Sequence, residues 1–319
     1  MEKFISCDWG TSSLRLRLTD AGTQTVLAEV KSQDGIAAIY ALWKNDNNIE
    51  RISFYLSILS GHITTLATQY GQSLAGLTVV LSGMASSSIG MLELPYKEMP
   101  FNKNGSDFLV DAIPPSLHFS NRLLIVSGVR SATDVMRGEE TMLAGCNTDV
   151  QAEEVLFIFP GTHSKHVTVK NGIVQNFKTY MTGEIFDLLA NKSILSASVQ
   201  KNSFLQANEM AFKKGVMESY NSNFLSTLFH VRTNQLFDQL DTMSNYYFLS
   251  GLLIGAELKD IPEKKYAGIQ LVSSEIFLPL YTMALGTMGF TVRQCHDADA
   301  ALIKGQSLIF KQYKNADKK

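Results

Sequence analysis

Two short segments of this chain combine glycine, hydroxyl side chains and charge in the way a phosphate site requires. Asp8-Trp9-Gly10-Thr11-Ser12-Ser13 follows the apolar run Phe4-Ile5-Ser6-Cys7. Pro160-Gly161-Thr162-His163-Ser164-Lys165 follows Val155-Leu156-Phe157-Ile158-Phe159. A phosphate needs several N–H groups aimed one way, glycine lets the backbone approach, and Thr or Ser hydroxyls add donors. Asp8 can hold Mg²⁺ directly or through water, an ion that prefers oxygen ligands and keeps much of its hydration. Phe159 stands at the place matching Asp8, which suits one metal site beside the first turn. One such turn reads equally well as an ordinary hairpin. Two, one in each half, point to phosphates cradled by Gly10, Thr11 and Ser12 and by Gly161 and Thr162.

A second group of residues suits transfer of a phosphoryl group to an alcohol. Val135-Met136-Arg137-Gly138-Glu139-Glu140-Thr141 places two acids in what reads as a first helical turn. A carboxylate there could orient a hydroxyl and take its proton. Glu139 is the first choice for that base and Glu140 the reserve, with Asp134 less favoured. The same two acids would equally serve the helix dipole alone. Ser82-Gly83-Met84-Ala85-Ser86-Ser87-Ser88-Ile89-Gly90 can offer N–H and hydroxyl groups to a polyhydroxylated ligand, with Met84 and Ser87 as candidate contacts. A substrate carboxylate wants N–H groups or a cation, which makes Arg137 and Lys165 candidates; Lys165 could instead neutralise phosphate. Thr182-Gly183-Glu184 reads either as a polar corner with Glu184 at the ligand or as a helix cap. Leu271-Val272-Ser273-Ser274 reads as a strand-to-helix junction where Ser273 could meet adenosine, or as a simple helix start.

The elements that must carry these residues are legible in outline. Residues 4–30 read as a three-stranded antiparallel meander, because Arg15 and Arg17 alternate with Leu14, Leu16 and Leu18. A similar meander is expected over 155–179. Ile52, Leu56, Leu59, Ile63 and Leu66 mark a helix over 49–70. Short strands are expected over 78–81 and 123–127, with a loop-rich, proline-bearing stretch between them. Beyond 180 the pattern is mainly helical, over 188–195, 204–217 and 224–228, with a stripe at Phe248, Leu249, Leu252, Leu253 and Ala256. A strand over 269–272, a helix over 275–288, a strand over 291–293 and a helix over 298–310 complete the chain. The domain boundary is expected near 146–152, giving domains of 1–148 and 149–319.

Composition bounds the function classes. The 319 residues are 45% hydrophobic and 18% charged, enough for two folded domains. A formal net charge of −2 gives no basic excess for nucleic acid, and the C-terminal lysines read as a frayed tail. No leader and no bilayer-length apolar stretch is expected, so no membrane partner is inferred. Cys7, Cys146 and Cys295 are scattered and odd in number, which fits buried thiols in a reducing cytoplasm rather than disulfides or zinc.

Taken together the motifs resemble the 2-dehydro-3-deoxygalactonokinase family, within the sugar kinase, Hsp70 and actin superfamily. The matching strings are Asp8-Trp9-Gly10, Ser82-Gly83-Met84 with Ser87 and Gly90, Pro95-Tyr96, Val135 to Thr141, Pro160 to Lys165, Met181 to Glu184, and Phe248-Leu249-Ser250-Gly251-Leu252-Leu253-Ile254-Gly255-Ala256-Glu257. The substrate loop departs at Ser86 and Met91, where the family often has Gly and Trp, and the late junction has Ser273-Ser274-Glu275 in place of a Gly-containing turn. The resemblance implies an α/β protein of two ribonuclease-H-like domains, the actin-like ATPase fold, flanking a nucleotide and substrate cleft. It implies ATP and Mg²⁺ as cofactors and a small sugar acid as substrate, with the γ-phosphate passing to the 6-hydroxyl of 2-dehydro-3-deoxy-D-galactonate in galactonate catabolism. Homo-oligomerisation stays open. The rival readings are a kinase for another sugar acid, such as the gluconate-derived epimer, and a non-catalytic regulator or assembly protein of the same fold. With the first strand expected almost at residue 1, no DNA-binding extension is anticipated.

Overall fold

The computed structural model describes residues 2–45, 49–147, 154–204, 206–262 and 266–316. The expected boundary between 148 and 149 and the C-terminal lysines at 318 and 319 lie outside these residues. The chain splits into two compact units. One comprises Met1–Gln151, Gly172–Asn176 and Ala298–Lys319; the other comprises Ala152–Asn171 and Phe177–Asp297.

The first unit is built on the meander Lys3–Trp9, Leu14–Asp20 and Val26–Ser32. Two parallel strands, Thr78–Gly83 and Arg122–Val126, extend it from the Lys3–Trp9 side, and Val110–Ile113 closes that edge antiparallel. Numbering the strands of the unit in chain order without the short ones, the sheet runs 3-2-1-4-5. Register sets Asp8 opposite Arg15 on one side and Ser82 on the other. Helix Arg51–Tyr70 buries Tyr55, Leu59, Ile63 and Leu66, a spacing of three and four that turns one stripe to the sheet. The Tyr55 hydroxyl donates to the Ile89 carbonyl at 2.6 Å, which ties the 82–90 loop to this core.

Helix Glu139–Gly145 lies against the last helix, Ala298–Ala316, through two glycines. A Cβ on Gly145 would stand 1.9 Å from the Ala301 carbonyl oxygen, and one on Gly305 would stand 1.9 Å from that of Thr141. Only glycine permits such an approach of two backbones.

The second unit repeats the plan. Val155–Phe159, Ser164–Lys170 and Ile173–Tyr180 form its meander, with Gly268–Ser273 and Val292–Asp297 added parallel. Its order is again 3-2-1-4-5. The start of Ile173–Tyr180 lies in the first unit, where Ile173 and Val174 pair with Asn102 and Phe101. Helices Gln206–Asn221 and Thr242–Leu258 cross at Gly215, Gly251 and Gly255. Added Cβ atoms there would meet Phe248 O at 2.2 Å, Phe212 O at 2.1 Å and Ser219 Oγ at 2.2 Å. Two mixed sheets of this order, each with helices packed on it, are the ribonuclease-H-like arrangement of the actin-like ATPase fold.

Several elements differ from the expectation. Helix Ile36–Asn45 is additional, because only Ile36 and Ile39 of it are buried and the periodic signal is short. The loop-rich stretch holds the short strands Lys97–Glu98, Phe101–Asn102 and Val110–Ile113. The helix expected over 188–195 starts earlier, as Thr182–Lys192. Cys7 and Cys146 are buried, but Cys295 is exposed. It sits on the edge strand Val292–Asp297, where alternate residues face solvent. Among the described residues no helix is long and apolar enough to cross a membrane.

The glycine contact between Glu139–Gly145 and the last helix yields a test. Gly305→Ala is expected to cost about 2 kcal/mol. That should lower the melting temperature of the first unit by roughly 4–8 °C in calorimetry. An unchanged melting temperature would mean that the two helices can separate freely.

Candidate active site

The first turn is shaped by where its carbonyls go. Gly10 N–H donates to Ser13 O at 2.9 Å and closes the turn. The carbonyls of Gly10 and Thr11 accept from the N–H groups of Ile36 and Ala37, at 3.0 and 3.1 Å. These donors open helix Ile36–Asn45, so its unpaired N-terminal N–H groups find partners in the turn. Gly35 makes the approach feasible, since a Cβ there would stand 2.4 Å from Thr11 O. Thr11 and Ser12 themselves are exposed.

The second turn repeats the device. Thr162 O accepts from Glu184 N–H at 3.1 Å, in the first turn of helix Thr182–Lys192. A Cβ on Gly183 would stand 2.6 Å from Gly161 O. Gly161 N–H donates to Ser164 Oγ at 3.3 Å. Gly161, Thr162, Thr182 and Gly183 line a cavity of about 1030 Å³ together with Phe186, Tyr246 and Phe277. A mostly apolar cavity with convergent polar groups at a turn suits a nucleotide.

Asp8 is half-buried beside the first turn. Burial pushes its carboxyl above the ordinary range; Arg15 and Arg17 pull it back in part, while Asp299 and Glu139 push it up. Arg15 Nη1 is engaged by Asp299 Oδ1 at 2.8 Å. Among the described residues no three acids, histidines or cysteines gather as a metal cage. Mg²⁺ does not need one, because it binds through one or two carboxylates, waters and the substrate's phosphates. Asp8 beside a turn with exposed Thr11 and Ser12 therefore fits the ion.

Glu139 comes to Asp8 through two glycines of positive φ. Gly83 (φ 92°) follows Ser82, and a Cβ on it would lie 2.8 Å from Trp9 O and 3.6 Å from Asp8 Oδ1. A Cβ on Gly138 (φ 107°) would lie 3.6 Å from Gly83 Cα. Both positions disfavour any L side chain. Glu139 is half-buried and accepts from Arg137 N–H at 3.2 Å. Glu140 turns the other way and is only 1% exposed. It accepts from Gly138 N–H at 2.7 Å and from Thr141 Oγ1 at 2.9 Å, and Thr141 Oγ1 accepts from Ser82 Oγ at 3.2 Å. Burial, helped by Glu139, pushes the Glu140 carboxyl up to about 7.

Arg137 is held flat. Its guanidinium lies 4.1 Å from the Tyr96 ring centroid, Nη1 donates to Ser86 Oγ at 2.6 Å and Nε to Tyr96 OH at 3.3 Å. Gly128 leaves room, since a Cβ there would stand 2.4 Å from Arg137 Cγ. The Ser87 hydroxyl donates to Met84 O at 2.8 Å, and half-buried Met84 packs on the core. In the second unit Lys165 is buried and its Nζ donates to His163 O at 2.9 Å. His163 Nε2 lies 2.5 Å from Glu184 Oε2. Ser273 is buried at the end of its strand, with Oγ donating to Ser274 O at 3.0 Å, while Glu275 to Tyr281 carry the cavity wall. Gly35 went unremarked in the sequence, although Asp34-Gly35 before an apolar run is a helix-start signal.

The family model for 2-keto-3-deoxy-galactonokinase matches residues 8–309. The chain belongs to that family. It is 33% identical over 312 residues to a Rhizobium meliloti (strain 1021) protein provisionally named a 2-dehydro-3-deoxygalactonokinase, covering 95% of both. It is 29% identical over 302 residues to the 2-dehydro-3-deoxygalactonokinase of Escherichia coli (strain K12), covering 91% of both. A crystal structure from Sinorhizobium meliloti, provisionally assigned the same activity, superposes with a TM-score of 0.82 at 32% identity, over 97% of this chain and 96% of that one. The Clostridium difficile activator of 2-hydroxyisocaproyl-CoA dehydratase, solved with bound ADPNP, has a TM-score of 0.50 at 12% identity, over 99% of this chain and 97% of that one. That likeness concerns the fold.

The opposed settings of the two acids predict a pH effect. Between about 4.5 and 7 the folded chain keeps a proton on Glu140 that the unfolded chain releases, so stability falls as pH rises through this window. Glu140→Gln keeps an acceptor for Gly138 N–H and removes this loss. The variant should gain up to about 3 kcal/mol over wild type above pH 7 and little below pH 4.5 in denaturant titrations. Parallel pH profiles for the two proteins would contradict the assignment.

Proposed function

We propose that this member of the 2-keto-3-deoxy-galactonokinase family transfers the γ-phosphoryl group of ATP to the 6-hydroxyl of 2-dehydro-3-deoxy-D-galactonate, in galactonate catabolism. The observation that carries the reading is the gathering, in a chain of this family, of Asp8, Glu139 and Arg137 around Gly83 and Gly138. Phosphoryl transfer asks little covalent chemistry of a protein; it asks for positioning and charge. Gly10, Thr11 and Ser12, and Gly161 and Thr162, are assigned to the phosphates. Asp8 holds Mg²⁺, which neutralises phosphate charge when bound. Glu139 orients the acceptor hydroxyl and takes its proton. It is preferred to Glu140, whose two oxygens are engaged inside the unit.

Arg137 takes the substrate carboxylate, since its guanidinium is already fixed by Tyr96 and Ser86. Met84 and Ser87 contribute through the loop they brace, and Lys165 and Glu184 are also assigned to the substrate. Ser273 is assigned to the adenosine side, at the strand end before the cavity wall. The reaction is assigned to the cytoplasm, in keeping with cysteines that are scattered and odd in number.

The deciding assay is ADP release with Mg-ATP over a panel of 2-keto-3-deoxy sugar acids, with mass spectrometry of the product. Phosphorylated 2-dehydro-3-deoxygalactonate should form faster than the product of its epimer; a preference for the epimer would move the chain to a neighbouring substrate. Glu139→Gln should lower kcat by about 10²- to 10⁴-fold with ATP affinity kept. Unchanged turnover would remove Glu139 as the base. Arg137→Lys should raise KM for the sugar acid about tenfold or more and leave KM for ATP alone, because an ammonium cannot reproduce the stacked, forked guanidinium. An unchanged KM for the sugar acid would place the carboxylate elsewhere.

A further inference from the structure

The family-like string at 248–257 ends in Glu257, for which the reading above has no use. Glu257 is 3% exposed, near the end of helix Thr242–Leu258. A buried carboxylate persists only when its oxygens are satisfied. Here three donors converge on it. Tyr281 OH donates to Oε2 at 2.7 Å, Thr182 Oγ1 donates to the same oxygen, and His166 Nε2 lies 2.9 Å from Oε1. The Tyr281 hydroxyl also lies 3.0 Å from Ser164 Oγ, which accepts from Gly161 N–H at 3.3 Å.

Two of the branches reach the phosphate turn. One runs from Glu257 through Tyr281 and Ser164 to the Gly161 amide. The other runs through Thr182, the first residue of helix Thr182–Lys192, whose neighbours Gly183 and Glu184 pack on and bond to Gly161 and Thr162. Gly161, Thr162, Thr182 and Tyr281 all line the cavity; Glu257 does not. The carboxylate stands behind the wall, joining four elements that meet at the turn.

We infer that Glu257 is a positioning residue for nucleotide binding: it fixes the Gly161–Thr162 turn and the first turn of helix Thr182–Lys192 from behind. The inference rests on the reading of this cavity as the ATP site. It also gives the glycines of the string a purpose. Gly251 and Gly255 let helix Thr242–Leu258 cross helix Gln206–Asn221 at backbone distance, which sets the height at which Glu257 meets its donors.

The test measures Mg-ATP affinity by calorimetry on wild type, Glu257→Ala, Glu257→Gln and Tyr281→Phe, together with KM for ATP and for the sugar acid. Circular dichroism establishes that each variant is folded. Glu257→Ala should weaken ATP binding about tenfold or more and raise KM for the sugar acid by a smaller factor, through Glu184 at the same helix start. Glu257→Gln should recover most of the affinity, because the amide oxygen still accepts from Tyr281 and Thr182. Tyr281→Phe removes one donor at nearly constant volume and should weaken ATP binding about threefold or more. It stands in for Glu257→Ala should that protein not fold. A purely structural role would lower the folded fraction and leave the ATP affinity of the folded molecules unchanged. ATP affinity equal to wild type in folded Glu257→Ala or, failing that variant, in Tyr281→Phe overturns the inference. Wild-type protein that binds no nucleotide overturns the reading of the cavity, and the inference with it.

Discussion

A backbone turn that offers its N–H groups to a phosphate must keep its carbonyl oxygens pointed away from the anion. Both units meet this constraint in the same way. The turn after the first strand gives carbonyl oxygen to N–H groups at the start of the helix that follows the third strand: Gly10 and Thr11 to Ile36 and Ala37, and Thr162 to Glu184. A glycine at that helix start, Gly35 or Gly183, removes the Cβ that would collide with the turn. The arrangement satisfies helix donors that would otherwise lack partners and orients the turn in one stroke. The 3-2-1-4-5 strand order serves the same end, since it brings the third strand back beside the second and delivers the helix to the turn.

On this shared plan the two units diverge where chemistry needs charge. The first carries Asp8 at its strand end, where burial raises its carboxyl and Glu139, admitted by Gly83 and Gly138, adds to the effect. The second carries Phe159 there, and its acid, Glu257, is withdrawn behind the wall and surrounded by donors. Adjacent positions in the chain show the same division. Glu139 and Glu140 begin one helix and share its dipole, yet one is half-buried and the other sealed. Burial sets the two carboxyls apart, leaving one within reach of solvent and the other bound into the helix start.

Much of this was legible in the sequence, because it rests on local pattern. Alternating Leu and Arg at 14–18 gave the second strand, and the repeated Gly-Thr turn gave the duplication. The acids at 139 and 140 marked a helix start that is present as Glu139–Gly145. What the sequence withheld depends on tertiary approach. Nothing local announces that Ala298–Ala316 packs on Glu139–Gly145 through reciprocal glycines, or that Gly128 makes way for Arg137. Ser87 looked available as a hydroxyl, and its donation to Met84 O is a fact of loop closure. Cys295 shows the converse: scattered cysteines suggest core, but an alternating edge strand turns this one outward.

Arg137 shows how such approaches bear on selectivity. A free arginine would lose side-chain entropy on meeting a carboxylate, whereas this one is ordered beforehand by a ring face, a phenol and the Ser86 hydroxyl. Tyr96 and Ser86 between them engage Nε and Nη1, and the stack fixes the plane in which the remaining donors lie. If Arg137 takes the substrate carboxylate as proposed, a neutral sugar would leave a half-buried guanidinium without that anion, and such an unpaired charge is costly. Preference for a sugar acid over a neutral sugar would thus arise as much from rejection as from attraction. Because the residue that completes the clamp is Ser86, the orientation of a carboxylate bound as proposed would depend on this hydroxyl.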